Sequence, residues 1–215
     1  MVTDIFTTTF IDSNIIADWM LFDAIRETKG QTAVDTIREH RQSSYSSYCL
    51  LEELRKNKNI SLFYHWVTSQ FAQAEIMTVM LDGYAERRLA DRTGATSRYM
   101  SKPLLRQLKF EAQDVREFFN QLERFRYEFI LGHNHMIRLV PDTYRLRDII
   151  LLVAYSRLET SDAFLVSTAL SNQCDCFLTR DGNLIKSLKK SNMIKPTHPQ
   201  PLLSEINQRL HSTKH

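Results

Sequence analysis

The chain has 215 residues, 43% of them apolar, with 28 Lys and Arg against 25 Asp and Glu; that suits one buried core, or one domain with an insertion, and a net charge of +3 that permits a nucleic-acid partner without arguing for one. No apolar run approaches the length of a membrane span, and the opening MVTDIFTTTFIDS lacks the basic-then-apolar pattern of a secretory signal. Three cysteines do not suggest a disulfide framework, so the expected setting is reducing cytoplasm with no membrane partner.

Taken in chain order, TTTFI (7–11) is β-branched and aromatic and reads as a short buried strand ending at Asp12. Ile15, Ile16, Trp19, Met20, Phe22 and Ile25 then recur at helical spacing. Residues 31–57 read as one or two helices, broken around the serines at 43–47. SLFYHWV (61–67) is a second strand candidate, and Thr68 and Ser69 are placed to cap the helix that follows. Residues 80–135 read as a helical insertion: its first half is basic, and its second carries Val115, Phe118, Leu122, Phe125 and Phe129 on one helical face. Residues 136–140 resemble a third strand stopped by Pro141. Helices are expected over 146–158 and 161–170, the second capped by Ser161. Residues 176–179 read as a fourth strand and 193–195 as a fifth. The pattern predicts an α/β/α sandwich around a mostly parallel sheet of four to five strands, one domain over 1–200 followed by a tail over 201–215.

On that reading Asp12 and Asp181 each follow a strand closely, Asp162 lies in the first turn of a helix, and Glu75 lies in the helix after the second strand. Parallel strand ends and the helix starts that follow them share one edge of the sheet, so these four acids can converge there. Close carboxylates hold protons at raised pKa or are neutralised by cations. An all-oxygen set favours a hard ion, Mg²⁺ or Mn²⁺, which can activate water and stabilise the leaving oxygen in phosphodiester cleavage. Each acid taken alone reads better as a helix cap or a surface charge; it is the four together that point to a site.

Four segments together resemble the PIN-domain nucleases. FIDSN (10–14) is similar to the family's strand-Asp-x-Asn opening, and TSQFAQAEI (68–76) to its Ser/Thr-then-Glu motif. TSDAFLVSTAL (160–170) resembles its Asp-Ala motif, and FLTRDGNLIK (177–186) its Thr-x-Asp motif. The resemblance spans about 7–27, 60–80 and 136–195. It implies a metal-dependent ribonuclease, an endonuclease, with Asp12, Glu75, Asp162 and Asp181 as catalytic metal ligands and Asn14 and Thr179 as polar supports. It further implies RNA as substrate, a homodimer, and, for the toxin-type members, an antitoxin partner. Position 183 is Asn where the family often has another acid, and 28–59 and 80–135 match nothing in the family pattern.

Other features stay open. Arg87, Arg88, Arg92 and Arg98, with the basic residues up to Lys109, read either as a solvated face or as an RNA-backbone contact. Lys186, Lys189 and Lys190 carry a weaker form of the same expectation. Cys174 and Cys176 read as buried thiols on one side of a strand, since no second cysteine pair completes a zinc site. His65, His133 and His135 read as structural or exposed. A PIN-like binding module without catalysis is the alternative; an aspartyl-phosphate phosphatase would need a second aspartate where Asn14 stands.

Overall fold

The computed structural model describes residues 7–80, 112–132 and 135–212, apart from the side chain of His40. The basic run from Arg87 to Lys109, with Arg87, Arg88, Arg92 and Arg98, lies outside the described residues, as does His133.

Five parallel strands form one sheet: β1 (Thr7–Ile11), β2 (Tyr64–Ser69), β3 (Ile137–Val140), β4 (Cys176–Leu178) and β5 (Lys195–Thr197), in the order β3-β2-β1-β4-β5. The strands are parallel because each crossover carries helix: α1 (Ser13–Lys29), α2 (Gln31–His40) and α3 (Gln42–Lys56) after β1, α4 (residues 70–80) after β2, α6 (Leu146–Ser156) and α7 (Thr160–Ser171) after β3, and α8 (Gly182–Ser191) after β4. Before β3, α5 (Ala112–Phe125) continues as a π-helical turn over Arg126–Leu131, and α9 (Pro199–Ser212) ends the described chain. Among the described residues no helix is long and apolar enough to cross a membrane.

Alternation along the strands divides the core in two. Ile11, Trp66, Ile137 and Leu178 point into one cluster with Trp19, Phe22, Leu51, Phe125 and Ile206, roofed by α1, α3, α5 and α9. Their neighbours Phe10, Val67, Val140 and Phe177 point the other way, into a cluster with Ile149, Leu152, Leu165 and Leu188 from α6, α7 and α8. Phe10 and Phe177, from adjacent strands, stack at 5.4 Å. Helices on both faces of a five-stranded parallel sheet make the expected α/β/α sandwich.

Several boundaries differ from those read in the sequence. The break between α2 and α3 falls at Arg41, and the serines at 43–47 lie inside α3, where the hydroxyls of Ser46 and Ser47 bond back to carbonyls four residues earlier. Ser61, Leu62 and Phe63 precede β2, the first two in a 3₁₀ turn. Of the two, only Ser69 caps α4, accepting from the Ala72 N–H, while Thr68 donates to the Ile11 carbonyl. Ser161 does not cap α7, which starts a residue earlier after Glu159. The last strand is Lys195–Thr197 and not 193–195: the pairing with β4 runs from Lys195 to Thr197, and Ile194 precedes it, buried in the core. Residues 201–212, read as tail, belong to α9, whose Leu202, Ile206 and Leu210 recur at helical spacing and are buried.

Candidate active site

The chain lays β2 and β3 to one side of β1, then returns to add β4 and β5 on the other, so the order of strands reverses between β1 and β4. Beyond the C-terminal ends of strands at such a reversal the flanking loops part and leave a crevice. Asp12 and Asp181 follow these two strands, with the Asp12 N–H bonded to the Leu178 carbonyl at 3.0 Å. The crevice is an open cleft of about 450 Å³, lined by Asp12, Ser13, Asn14, Glu75, Val79, Asp162, Arg180, Asp181 and Gly182. Four acids from four separate segments therefore border one space.

Asp12 occupies the N-cap position of α1 yet makes no capping bond. Its carboxylate accepts instead from Ser13 Oγ at 3.2 Å and from Asn14 Nδ2 at 2.6 Å. Asn14 Nδ2 also donates to Thr179 Oγ1 at 3.0 Å, and Asn14 Oδ1 accepts the Arg180 N–H at 3.4 Å, so one side chain ties the end of β1 to the end of β4. Thr179, fully buried, accepts the Asp181 N–H as well. The two polar residues thus fix Asp12 and the β4 exit in a common frame.

Ser13 stands between two of the acids, within 2.9 Å of Glu75 Oε2 in addition to its contact with Asp12. A hydroxyl has one proton to donate, so it satisfies one carboxylate at a time. Asp12 is 3% exposed, and burial raises its pKa to about 6, against the Thr179 and Ser13 hydroxyls that favour its charge and alongside Glu75 that opposes it. Burial raises Asp162 to about 7, and the charges of Asp12, Glu75, Asp181 and Glu159 push in the same direction. Both shifts have the sign expected of carboxylates crowded together without a counter-charge.

Asp181 differs in kind. It is exposed, and its Oδ1 caps α8 by accepting from the N–H groups of Asn183 at 2.7 Å and Leu184 at 3.1 Å. Only Oδ2 remains for a ligand. Gly182 is not needed for the turn: it has no positive φ, and a Cβ there would meet open space.

The donor set suits a hard divalent cation: every candidate ligand is a carboxylate oxygen, and the charge of a cation would offset the burial and the neighbouring carboxylates that raise Asp12 and Asp162. As the side chains stand, no group of three or more His, Cys, Asp or Glu among the described residues is disposed to hold an ion. The carboxylates of Asp12, Glu75 and Asp181 are instead engaged by Ser13, Asn14 and the first N–H groups of α8.

Sequence reasoning passed over three residues. Ser13 lies inside the FIDSN segment, flanked by two candidates, and Arg180 lies between Thr179 and Asp181. Asp18 is one of two acids, with Asp23, among the mostly apolar buried residues of α1, and it is 3% exposed. The remaining candidates stand apart from the cleft. Cys174 lies in the turn before β4, packed in the cluster with Leu188, so it does not share a strand face with Cys176. Both thiols are free and buried, with Cys174 pushed up to about 12 by burial. His135 contacts the Ile130 carbonyl. Ser43 meets His198 Nε2 at 2.9 Å, but His198 Nδ1 accepts the Gln200 N–H, so a neutral ring carries its proton toward the serine and cannot act as its base. Lys186, Lys189 and Lys190 are exposed on α8.

No protein-family model and no curated protein matches the chain.

Proposed function

We propose that this protein is a metal-dependent ribonuclease of the PIN type, hydrolysing RNA phosphodiester bonds at the cleft between the ends of β1 and β4. The observation that carries the reading is the convergence on one cleft of Asp12, Glu75, Asp162 and Asp181 from four segments, two of them with raised pKa. Asp12, Glu75, Asp162 and the free oxygen of Asp181 are the residues that would hold Mg²⁺ or Mn²⁺. Such an ion supplies an activated water and neutralises charge developing on the leaving oxygen. Asn14 and Thr179 hold Asp12 in place, and the Ser13 hydroxyl lies within hydrogen-bond distance of both Asp12 and Glu75. A homodimer, and an antitoxin partner for a toxin-type role, follow from the same resemblance, and a cytoplasmic location follows from the cysteine content.

A second reading, a PIN-like module that binds without cutting, draws on Asp181, whose carboxylate already serves as a helix cap, and on Asn183 in place of a further acid. One experiment separates the two. Single-stranded RNA is incubated with the purified protein in Mn²⁺, in excess chelator, and in chelator followed by metal. Cleavage that disappears with the chelator and returns with metal supports the ribonuclease; intact RNA in Mn²⁺, with binding retained, favours the module.

A further inference from the structure

We propose that Arg180 is the phosphate-binding residue of the cleft, held from behind by the buried carboxylate of Asp18; this rests on the ribonuclease reading above.

Arg180 leaves β4 between Thr179 and Asp181 and lines the same cleft as the four acids. Its Nε lies 2.7 Å from Asp18 Oδ2, and its side chain is 34% exposed against 4% for Asp18. Burial on α1 raises the Asp18 pKa; the charge of Arg180, the hydroxyls of Ser47 and Ser44 and the charge of Arg41 work against that and favour the ionised form. A carboxylate so far from water requires a cationic partner, and Arg180 supplies one. The reverse consequence matters more. Nε and Oδ2 meet as an ion pair without hydrogen-bond geometry, so Asp18 holds the guanidinium in place by charge, while no described residue is hydrogen-bonded to Nη1 or Nη2. Those two groups present parallel N–H donors that match two non-bridging oxygens of a phosphodiester.

The charge balance calls for such a donor. Four carboxylates and one divalent ion leave the cleft negative, and the substrate adds a further negative charge at its scissile phosphate. Lys186, Lys189 and Lys190 do not line the cleft. A lysine at position 180 would commit its single ammonium to Asp18, whereas arginine serves Asp18 with one nitrogen and retains two.

Two variants test the assignment. Asp18→Asn with Arg180→Met removes the pair as a unit and leaves no unpaired buried charge, and Arg180→Lys keeps the pair with Asp18. Binding of a labelled single-stranded RNA is followed by anisotropy in Ca²⁺, with the RNA checked to be intact. Both variants are expected to bind about tenfold or more weakly, the scale of a hydrogen bond to a charged group. In the double variant the plot of log affinity against log salt should flatten by about 0.7, one phosphate contact on a single strand. Wild-type affinity in both variants overturns the proposal, as does weaker binding of the double variant with an unchanged salt slope. The Mn²⁺-induced thermal shift is measured beside it and is expected to persist in both, since neither removes an acid of the cleft. A wild type that shows no Mn²⁺ shift sinks the metal-dependent reading, while the phosphate assignment is decided by RNA binding alone.

Discussion

Replacing Asp12 by Asn should make the metal-free protein more stable while disabling the site. The direction follows from burial. Asp12 is 3% exposed, and its pKa rises from an ordinary 3.8 to about 6 in the fold. A carboxylate whose pKa is raised by folding favours the folded state fully below pH 4, and that contribution is lost as pH climbs through 6. At pH 8 the charged form therefore opposes folding by at most about 3 kcal/mol, taking 1.36 kcal/mol per unit. Asparagine keeps the shape and one acceptor for Ser13 or Asn14 but carries no charge. Thermal unfolding in EDTA should place Asp12→Asn above wild type at pH 8 by up to roughly 6–12 °C, and level with it near pH 4. Adding Mn²⁺ at about a hundred times its dissociation constant should then stabilise wild type by about 2.7 kcal/mol and the variant far less. RNA cleavage should fall by orders of magnitude in the variant despite its greater stability. An Asn variant less stable than wild type in EDTA at pH 8, or one that Mn²⁺ stabilises equally, refutes the reasoning.

Asn14→Ala severs the tie between Asp12 and Thr179 and is expected to weaken Mn²⁺ binding about 10- to 100-fold, as loss of a group that orients a ligand does; calorimetry showing wild-type affinity would contradict that role. Cys176→Ala is expected to lower stability by about 0.5–3 kcal/mol in urea unfolding with turnover unchanged, and stoichiometric zinc that disappears on mutation would revive a metal role for the thiols. Neutralising Arg87, Arg88, Arg92 and Arg98 together is expected to weaken RNA binding and flatten its salt dependence by about 0.7 for each phosphate no longer neutralised, leaving the Mn²⁺ shift intact. Unchanged affinity and slope would return that segment to a solvated face.

The sheet was legible because its strands carry their own signal. TTTFI is β1 to the residue, and alternation assigns Phe10 and Ile11 to opposite faces, as the two core clusters place them. Helix ends were less legible, since a serine near a helix start caps only if the backbone breaks there, and at Ser161 it does not. The four acids could be proposed from sequence because strand ends and helix starts lie where patterns change. Ser13 and Arg180 could not, because their roles come from neighbours 62 and 162 residues away: Glu75 for Ser13, and Asp18 for Arg180. Asp18 was hidden for a related reason. Only the fold shows that an acid among the buried residues of α1 meets a guanidinium leaving β4.

The central position of β1 has a consequence for how the protein comes into being. The first strand made is flanked by β2 and β4, and Thr8 is joined to Asp175, 167 residues later. Contacts that span so much chain form late and slowly. During synthesis Asp12 emerges early, but the frame that orients it waits for Thr179, and the cleft is incomplete until Asp181 and α8 have left the ribosome. If the cleft cuts RNA as proposed, a nascent chain would carry no cutting site beside the messenger being translated, and the order of the strands would delay that activity.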